Sequence, residues 1–168
     1  MTTLYVDNIA PNLQSRVSVP GHVIQVVQGT QATDVTTTTA ETYTDTNLSA
    51  SITPSSTSSK ILVTVSQPCR VKRDSQYLNL LSLRLMRGST EVFMIAPGYD
   101  LGVVLPAANG ANEASFVVPL TYLDSPNTTS QITYKTQVAT RLNLAEASAN
   151  KIFDQASTSV ITLMEIAG

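Results

Sequence analysis

Residues 21–66 carry short alternations of apolar and polar side chains, separated by clusters of threonine and serine. The alternation has period two over 23–28, 48–53 and 61–66, which is typical of β-strands. β-Branched threonine is favoured on a pleated surface, whereas serine, proline and glycine supply the breaks between strands. This run therefore predicts a β-rich domain that displays hydroxyl groups, with a polar turn over 54–59 and the threonines at 36–39 on an edge or beside another subunit.

The segment 77–87 departs from simple alternation. Leu78 and Leu80 share one parity, whereas the next three leucines, Leu81, Leu83 and Leu85, share the other. This pattern predicts either a β-bulge near Leu80 or a strand that is buried on both faces.

The C-terminal half continues the pattern with three further predictions. Pro119 interrupts the strand at 115–124, and because proline cannot donate to a ladder, this strand should lie at a sheet edge or carry a bulge. Residues 142–156 fit a hairpin with a turn at 148–151, with a short helix as the alternative. The segment 159–166 is strongly β-patterned and is expected to pair centrally.

The chain therefore contains about eight to ten short strands and no long helix, which is typical of an all-β, antiparallel β-sandwich or jelly roll. We assign residues 23–168 to this head domain. Residues 1–22 differ, with short apolar patches between asparagines and prolines, and are predicted to be an extended arm that docks on a partner. The candidate docking residues are Leu4, Tyr5, Ile9, Leu13 and Val17.

Charged residues make up 13% of the 168-residue chain, roughly half the usual share. A surface with so little charge repels other copies weakly, which favours a closed oligomer. The net charge of −2 and the pI near 5.2 argue against a nucleic-acid partner. Neither a signal peptide nor an apolar run long enough to cross a bilayer is present, so we expect neither export by that route nor membrane insertion.

The inventory of reactive side chains predicts no catalytic, cofactor-binding or metal-binding residues. His22 and Cys69 are the only histidine and cysteine, so catalytic triads and zinc sites lack their second imidazole or thiolate. A glycoside hydrolase would need only two carboxylates. The twelve acidic residues are scattered, however, and tryptophan is absent. We therefore expect neither an enzyme nor a cofactor.

Two predicted loops contain side chains that can anchor a partner or a glycan. One is basic and contains Arg70, Lys72, Arg73 and Tyr77; the other, PGYDLG, contains Tyr99 and Asp100. The alternatives are a solvated loop and strand edge for the basic cluster and an ordinary loop or subunit contact for each single residue.

Five phrases carry a resemblance to a known group of proteins: GHVIQVVQ, YTDTNLSASITPSSTSSKILVTVS, LRLMRGSTEVF, YLDSPNTTSQITYKTQ and the ending STSVITLMEIAG. Together they resemble small structural proteins of tailed bacteriophages, particularly cyanophages, that occur as fibre or knob-like virion domains. The likeness covers most of residues 21–168. The opening TTLYVDNI is similar to the phrase with which such chains begin.

The resemblance implies a non-enzymatic virion protein whose head is a homotrimer. The arm would attach it to other proteins of the capsid or tail, and the head would face solvent or a glycan or protein of the host surface. It supplies no active-site residues and no counterpart of the basic cluster. Three alternatives stay open: a capsid decoration protein without a receptor role, a glycan-depolymerising virion enzyme, and a cellular trimeric binding module.

Overall fold

The computed structural model describes residues 19–74, 78–95, 101–104, 111–141 and 145–168, with only the backbone described at positions 73, 74, 78, 79, 103, 104, 111 and 112. In this part of the chain every regular element is a β-strand. The strands are β1 Val23–Gln31, β2 Val35–Thr37, β3 Thr44–Ile52, β4 Lys60–Asp74, β5 Leu78–Arg87, β6 Thr90–Ile95, β7 Leu101–Val104, β8 Ala111–Asp124, β9 Ile132–Thr140, β10 Ala145–Ala149, β11 Lys151–Ile152, β12 Gln155–Ala156 and β13 Ser159–Ile166.

Two antiparallel sheets form the domain. Sheet A has the order β1-β13-β4-β8, and the far half of β4 also pairs with β10, which in turn pairs with β2. Sheet B has the order β3-β9-β5-β6, and the start of β5 pairs with β7. A separate two-stranded hairpin is formed by β11 and β12.

The eight longer strands follow a jelly-roll path. In chain order β1, β3, β4, β5, β6, β8, β9 and β13 lie in sheets A, B, A, B, B, A, B and A. This winding places the first and last strands side by side in one sheet and packs the two sheets face to face, as in a jelly roll. The sequence-based prediction of an all-β antiparallel sandwich or jelly roll is confirmed.

The apolar side chains between the sheets form two clusters. The first lies around Leu48, Ile61, Val63, Leu85, Tyr134 and Leu163. The second lies around Cys69, Val71, Leu81, Leu83, Val118 and Val138. Both clusters combine residues of sheets A and B, so burial of these side chains holds the sandwich together.

A buried polar layer separates the two clusters along β4 and β9. We define it as five fully buried side chains: Thr46, Gln67, Thr136, Asn150 and Ser159. Gln67 follows the first-cluster residue Val65 and precedes the second-cluster residue Cys69 on the inward parity of β4. Thr136 takes the same intermediate position on β9.

The layer is fully hydrogen-bonded and joins the two sheets. Gln67 Nε2 donates to Asn150 Oδ1 at 3.0 Å, and Thr136 Oγ1 donates to Gln67 Oε1 at 2.7 Å. Asn150 Nδ2 donates to the carbonyl oxygens of Thr33 and Thr46, at 2.9 and 2.8 Å, and Ser159 Oγ donates to Asn150 Oδ1 at 2.6 Å. These bonds satisfy amides that would be costly to bury unpaired.

The layer lies where β4 exchanges one neighbour for another. β13 pairs with β4 up to Ser66, and β10 pairs with it from Cys69 onward. Pro68 lies in the gap, where the missing N–H of proline leaves no donor unsatisfied on that edge. Asn150, directly after β10, donates its backbone N–H to the Pro68 carbonyl at 2.8 Å, which closes the junction.

Glu165 joins β13 to β1 and to the loop after β3, at the end of the sandwich away from the β11–β12 hairpin. Its side chain is fully buried on the inward parity of β13. It accepts hydrogen bonds from the Ser55 N–H at 2.7 Å and the Ser55 hydroxyl at 2.6 Å, and Gln25 Nε2 also donates to it. Burial alone would raise the pKa of Glu165, but these hydrogen bonds outweigh it and hold the pKa below its ordinary value of 4.5.

The local strand predictions have mixed outcomes. Of the two alternatives predicted near Leu80, the strand buried on both faces is confirmed, because Leu80 and Leu81 are both buried and β5 keeps a continuous register with β7 over Leu78–Leu81. Pro119 does lie on an edge strand, since among the described strands β8 pairs only with β4, and β13 is central, between β1 and β4.

The segment 142–156 contains strands, and its described residues include no helix. The turn of the hairpin lies at 153–154, not at 148–151, because β10 is recruited into sheet A as a neighbour of β4. The candidate arm residues Leu4, Tyr5, Ile9, Leu13 and Val17 lie outside the described residues, so the division into an arm and a head stays a prediction.

Replacing Asn150 should measure the stability that the polar layer supplies. Asn150 has φ 60, so Asn150→Ala combines backbone strain with the loss of four buried side-chain hydrogen bonds, at a cost of about 3 kcal/mol or more. Asn47 has a similar φ of 64 and an exposed side chain. Asn47→Ala is therefore the control for strain alone, at about 1–2 kcal/mol. Equal losses for the two variants in urea titrations would contradict this role of the layer.

Glu165→Gln should change how stability depends on pH. Because the folded-state pKa of Glu165 is lowered, its carboxylate stabilises the fold above the unfolded-state pKa, and this contribution is lost as the pH falls through the folded-state value. The free energy of unfolding of the wild type should thus fall more steeply than that of the variant below about pH 4.5. If urea denaturation from pH 6 to pH 3 gave parallel curves of unfolding free energy for the wild type and the variant, the stabilising role of the Glu165 carboxylate would be refuted.

Candidate functional site

The basic cluster is not an exposed loop. Arg70, Lys72 and Arg73 belong to β4, and Arg70 is 3% exposed. The loop assignment is wrong because β4 continues past Pro68, where β8 pairs with it along its whole length and β10 replaces β13. The Arg73 side chain, Tyr77, Tyr99 and Asp100 lie outside what the structure describes, so their binding role stays a prediction.

Three carboxylates surround the Arg70 guanidinium. Its Nη2 lies 2.8 Å from Glu113 Oε2 and 3.4 Å from Asp154 Oδ1, and its Nη1 lies 3.3 Å from Glu146 Oε2. Its Nε also donates to Glu113 at 3.1 Å. A guanidinium engaged in this way has its donors directed at carboxylates of its own chain, so Arg70 is a structural cation and not a contact for an external anion.

The β11–β12 hairpin covers this ion cluster on the outer side of sheet A. Asp154 lies at its tip, and the Phe153 N–H donates to Ser115 Oγ on β8 at 2.7 Å. At its base, Lys151 pairs with Asp34 at 3.2 Å. The Phe153 side chain is 55% exposed. The hairpin therefore protrudes from the sheet and presents an aromatic ring.

Cys69 and His22, the only cysteine and histidine of the chain, take structural positions. Cys69 is fully buried, and burial raises the pKa of its thiol to about 12, which disfavours the nucleophilic thiolate. His22 Nδ1 accepts a hydrogen bond from the Val19 N–H at 3.0 Å at the start of sheet A. Among the described residues, no group of three or more His, Cys, Asp or Glu side chains is arranged to hold a metal ion.

The outer side of sheet A carries three rows of uncharged side chains, each crossing all four strands. The register aligns Val26–Met164–Leu62–Leu123 as an apolar row, Gln28–Thr162–Thr64–Thr121 as a hydroxyl row, and Thr30–Val160–Ser66–Pro119 as a mixed row. We call these twelve residues the uncharged face. Lys60 bounds it at one end, and Pro68, with the Arg70 cluster beyond it, at the other.

The uncharged face is open at its margins. Val26 on edge strand β1 is 57% exposed and Leu123 on edge strand β8 is 50% exposed. Met164 and Leu62, on the central strands, are half-buried between their neighbours. A row of four apolar side chains across a solvent-facing sheet is the kind of feature that marks an interaction surface.

The outer side of sheet B is charged and internally paired. Arg84 lies 3.8 Å from the centre of the Tyr43 ring and pairs with Glu91 at 3.0 Å. Lys135 pairs with Asp45 at 2.7 Å, and desolvation, which alone would raise the pKa of Asp45, is outweighed by hydrogen bonds from Lys135 and Gln137 that lower it. Because Arg84 lies over the Tyr43 ring, that face of the ring is not available for stacking on a sugar.

Comparisons with known proteins give structural similarity without a sequence match. No protein-family model matches the sequence, and no curated protein matches it. A chain in the solved structure of infectious bursal disease virus, Gx strain, aligns with 96% of this chain at 12% sequence identity and a TM-score of 0.34. The alignment covers 43% of that viral chain. Across the described residues no helix is long and apolar enough to cross a membrane.

The sequence contains a signal for the uncharged face, but the signal is a pattern of uncharged outward positions and not a set of reactive residues. In each of its four strands, the residues on the parity opposite to the core are uncharged within the three rows, as in Leu62, Thr64 and Ser66 of β4. Which strands are neighbours, and in what register, depends on pairings between residues up to about 140 positions apart in the chain. The face therefore becomes visible only in the folded sheet.

Arg70→Ala should loosen the β11–β12 hairpin, because it removes the cation that holds Asp154. We expect amide hydrogen exchange over residues 151–156 to become about tenfold faster or more, since local opening becomes less costly. Arg70→Lys should have a smaller effect, because it retains the positive charge, although a single ammonium does not reproduce the guanidinium fork. Arg84→Ala, on sheet B, is the control. Unchanged exchange at the hairpin in Arg70→Ala would show that the ion cluster does not hold it.

Proposed function

We propose that this chain is a structural protein of a bacteriophage virion, with a fibre- or knob-type head displayed on the particle and anchored by residues 1–22. The jelly-roll order of its strands is the observation that carries the proposal, since this architecture recurs in viral capsid domains and in lectins. The resemblance of the sequence phrases to structural proteins of phages supports a viral role over a lectin. In this proposal the protein is not an enzyme, needs no cofactor, and resides in the virion.

The arrangement of the charges favours a structural role over sugar cleavage. A paired-acid mechanism requires two carboxylates that face a substrate. In the described part of the chain, Glu113, Glu146 and Asp154 come together, and all three lie against Arg70. Carboxylates that already pair with a buried guanidinium of their own chain are engaged in the fold, which disfavours a role for them in sugar cleavage.

The polar chemistry of sheet B also disfavours a lectin-type site on that sheet. Its charged side chains are paired, Arg84 with Glu91 and Lys135 with Asp45, and the Tyr43 ring is stacked under Arg84. Contact with the host surface is therefore proposed for the head as a whole and not for a particular pocket. The homotrimer implied by the resemblance stays a prediction, and the capsid decoration protein without receptor binding is the alternative.

Charging the arm tests the proposed anchoring. Particles from an infection in which the Leu4→Asp, Ile9→Asp variant replaces the wild type should lack the protein by mass spectrometry, because burying two carboxylates against a partner is costly. The matched control, Asn8→Asp with Asn12→Asp, adds the same charge at polar positions and should be incorporated. Thermal unfolding of the purified variants should match that of the wild type.

Two outcomes would count against the proposal. Normal incorporation of the Leu4→Asp, Ile9→Asp variant would refute the arm, and absence of the wild-type protein from purified particles would refute the virion role. An adsorption assay with purified protein separates the two virion roles. Binding to host cells and competition with infection favour a fibre or knob, whereas neither effect favours decoration.

A further inference from the structure

We infer that the uncharged face of sheet A is a self-association surface, occupied by the same face of a second copy of this chain. The inference rests on the proposed function only for its biological setting; it names a second copy as the partner and expects a dimer in place of the homotrimer that the resemblance implies. Three features of the described residues carry it: the distribution of charge over the two outer faces, the chemistry of the rows, and the area of the face.

The first feature is the contrast between the two sheets. The outer side of sheet B presents Asp45, Arg84, Glu91 and Lys135, whereas the twelve residues of the uncharged face include no ionisable side chain. A partner that is itself charged gains nothing from such a surface, because each of its charges would be desolvated without a counter-charge. The partner must therefore present a neutral surface of its own, and this face is one.

The second feature is that each row is chemically complementary to the same row on a second copy. When two such sheets pack face to face with aligned strands, the apolar row can lie against the apolar row of the other copy. The hydroxyl row meets side chains that both donate and accept hydrogen bonds, so Thr162, Thr64 and Thr121 can pair with an identical row. A surface built in this way needs no second, differently shaped partner.

The third feature is size. Four strands about 4.8 Å apart, with side-chain margins, give a width of about 20 Å, and the rows from Lys60 to Pro68 give a length of about 25 Å. Each copy thus contributes about 500 Å², and a pair buries about 1,000 Å², which is the lower limit for a specific interface. An interface of this size is at the weak end of specific contacts, so the dimer should be reversible.

Packing through the face is also favoured over pairing through a strand edge. Edge strand β8 carries Pro119 near its middle. A proline on an edge lacks the N–H that a continuous ladder with another chain would need. The Phe153 hairpin lies beyond Pro68, outside the three rows, so it flanks the contact.

Sedimentation velocity of the full chain over a range of concentrations tests the surface. The wild type should form a dimer. Val26→Asp and Leu123→Asp, at positions that are already half exposed, should each weaken the dimer about tenfold or more, because each buries an unpaired carboxylate in the contact. Thr90→Asp, at an exposed position on sheet B, adds the same charge and should leave the dimer unchanged. Circular dichroism and thermal unfolding verify that each variant is folded.

A chemical cross-link supplies the second measurement. Leu62→Cys places a thiol in the apolar row, and a short bis-maleimide should join two copies through it. The wild type is the control, because Cys69 is fully buried and should not react, and Thr90→Cys should give no covalent dimer. A wild type that stays monomeric at high concentration would overturn the inference, as would a dimer insensitive to Val26→Asp and Leu123→Asp, or a trimer.

These outcomes are independent of the test of the virion role. A dimer that never enters particles would leave the self-association surface intact and refute the proposed function. A monomer that is incorporated normally would support the proposed function and refute the self-association surface.

Discussion

The change of neighbour along β4 is the constraint on which the rest of the fold depends. β4 has fifteen residues, and it is paired to β8 along nearly its whole length while its other edge is shared by β13 and β10. Any strand that loses one neighbour and gains another leaves backbone groups to be satisfied at the junction. Here Pro68 removes one donor, and the Asn150 N–H satisfies the remaining carbonyl.

The side chains at this junction follow from the same constraint. Amides and hydroxyls placed between two apolar clusters are costly unless every group is paired, and once paired they fix one arrangement of the strands. Gln67 and Asn150 take these positions, with Thr46, Thr136 and Ser159 completing the bonds. The polar layer thereby sets the register of sheet A against sheet B.

The positions of the charged side chains connect the fold to its proposed role. The described ion pairs lie on the outer side of sheet B, at the ends of the sandwich, or beneath the β11–β12 hairpin, where Arg70 meets three carboxylates. What is left on the outer side of sheet A is a neutral surface of apolar and hydroxyl rows. Such a surface is poorly suited to chemistry on a polar substrate and well suited to close packing against protein.

The sequence by itself determined the strand content, the all-β class, the edge position of Pro119 and the central position of the last strand. These features follow from local patterns of period two and from the missing N–H of proline. It also led to two errors. The Arg70 cluster was assigned to a loop, and the turn at 148–151 was placed too early, because both depend on β10 joining β4 from about 75 residues away in the chain.

Only the tertiary structure decided which strands are neighbours, and therefore which side chains share a face. Arg70 became a buried cation because Glu113, Glu146 and Asp154 arrive from three other strands and turns. The threonines and serines that mark residues 21–66 likewise gained locations: Thr46 belongs to the polar layer, Thr30, Thr64 and Ser66 belong to the outer rows, and Ser55 bonds Glu165. Pairings over long sequence separations fix both outcomes, and no local periodicity encodes them.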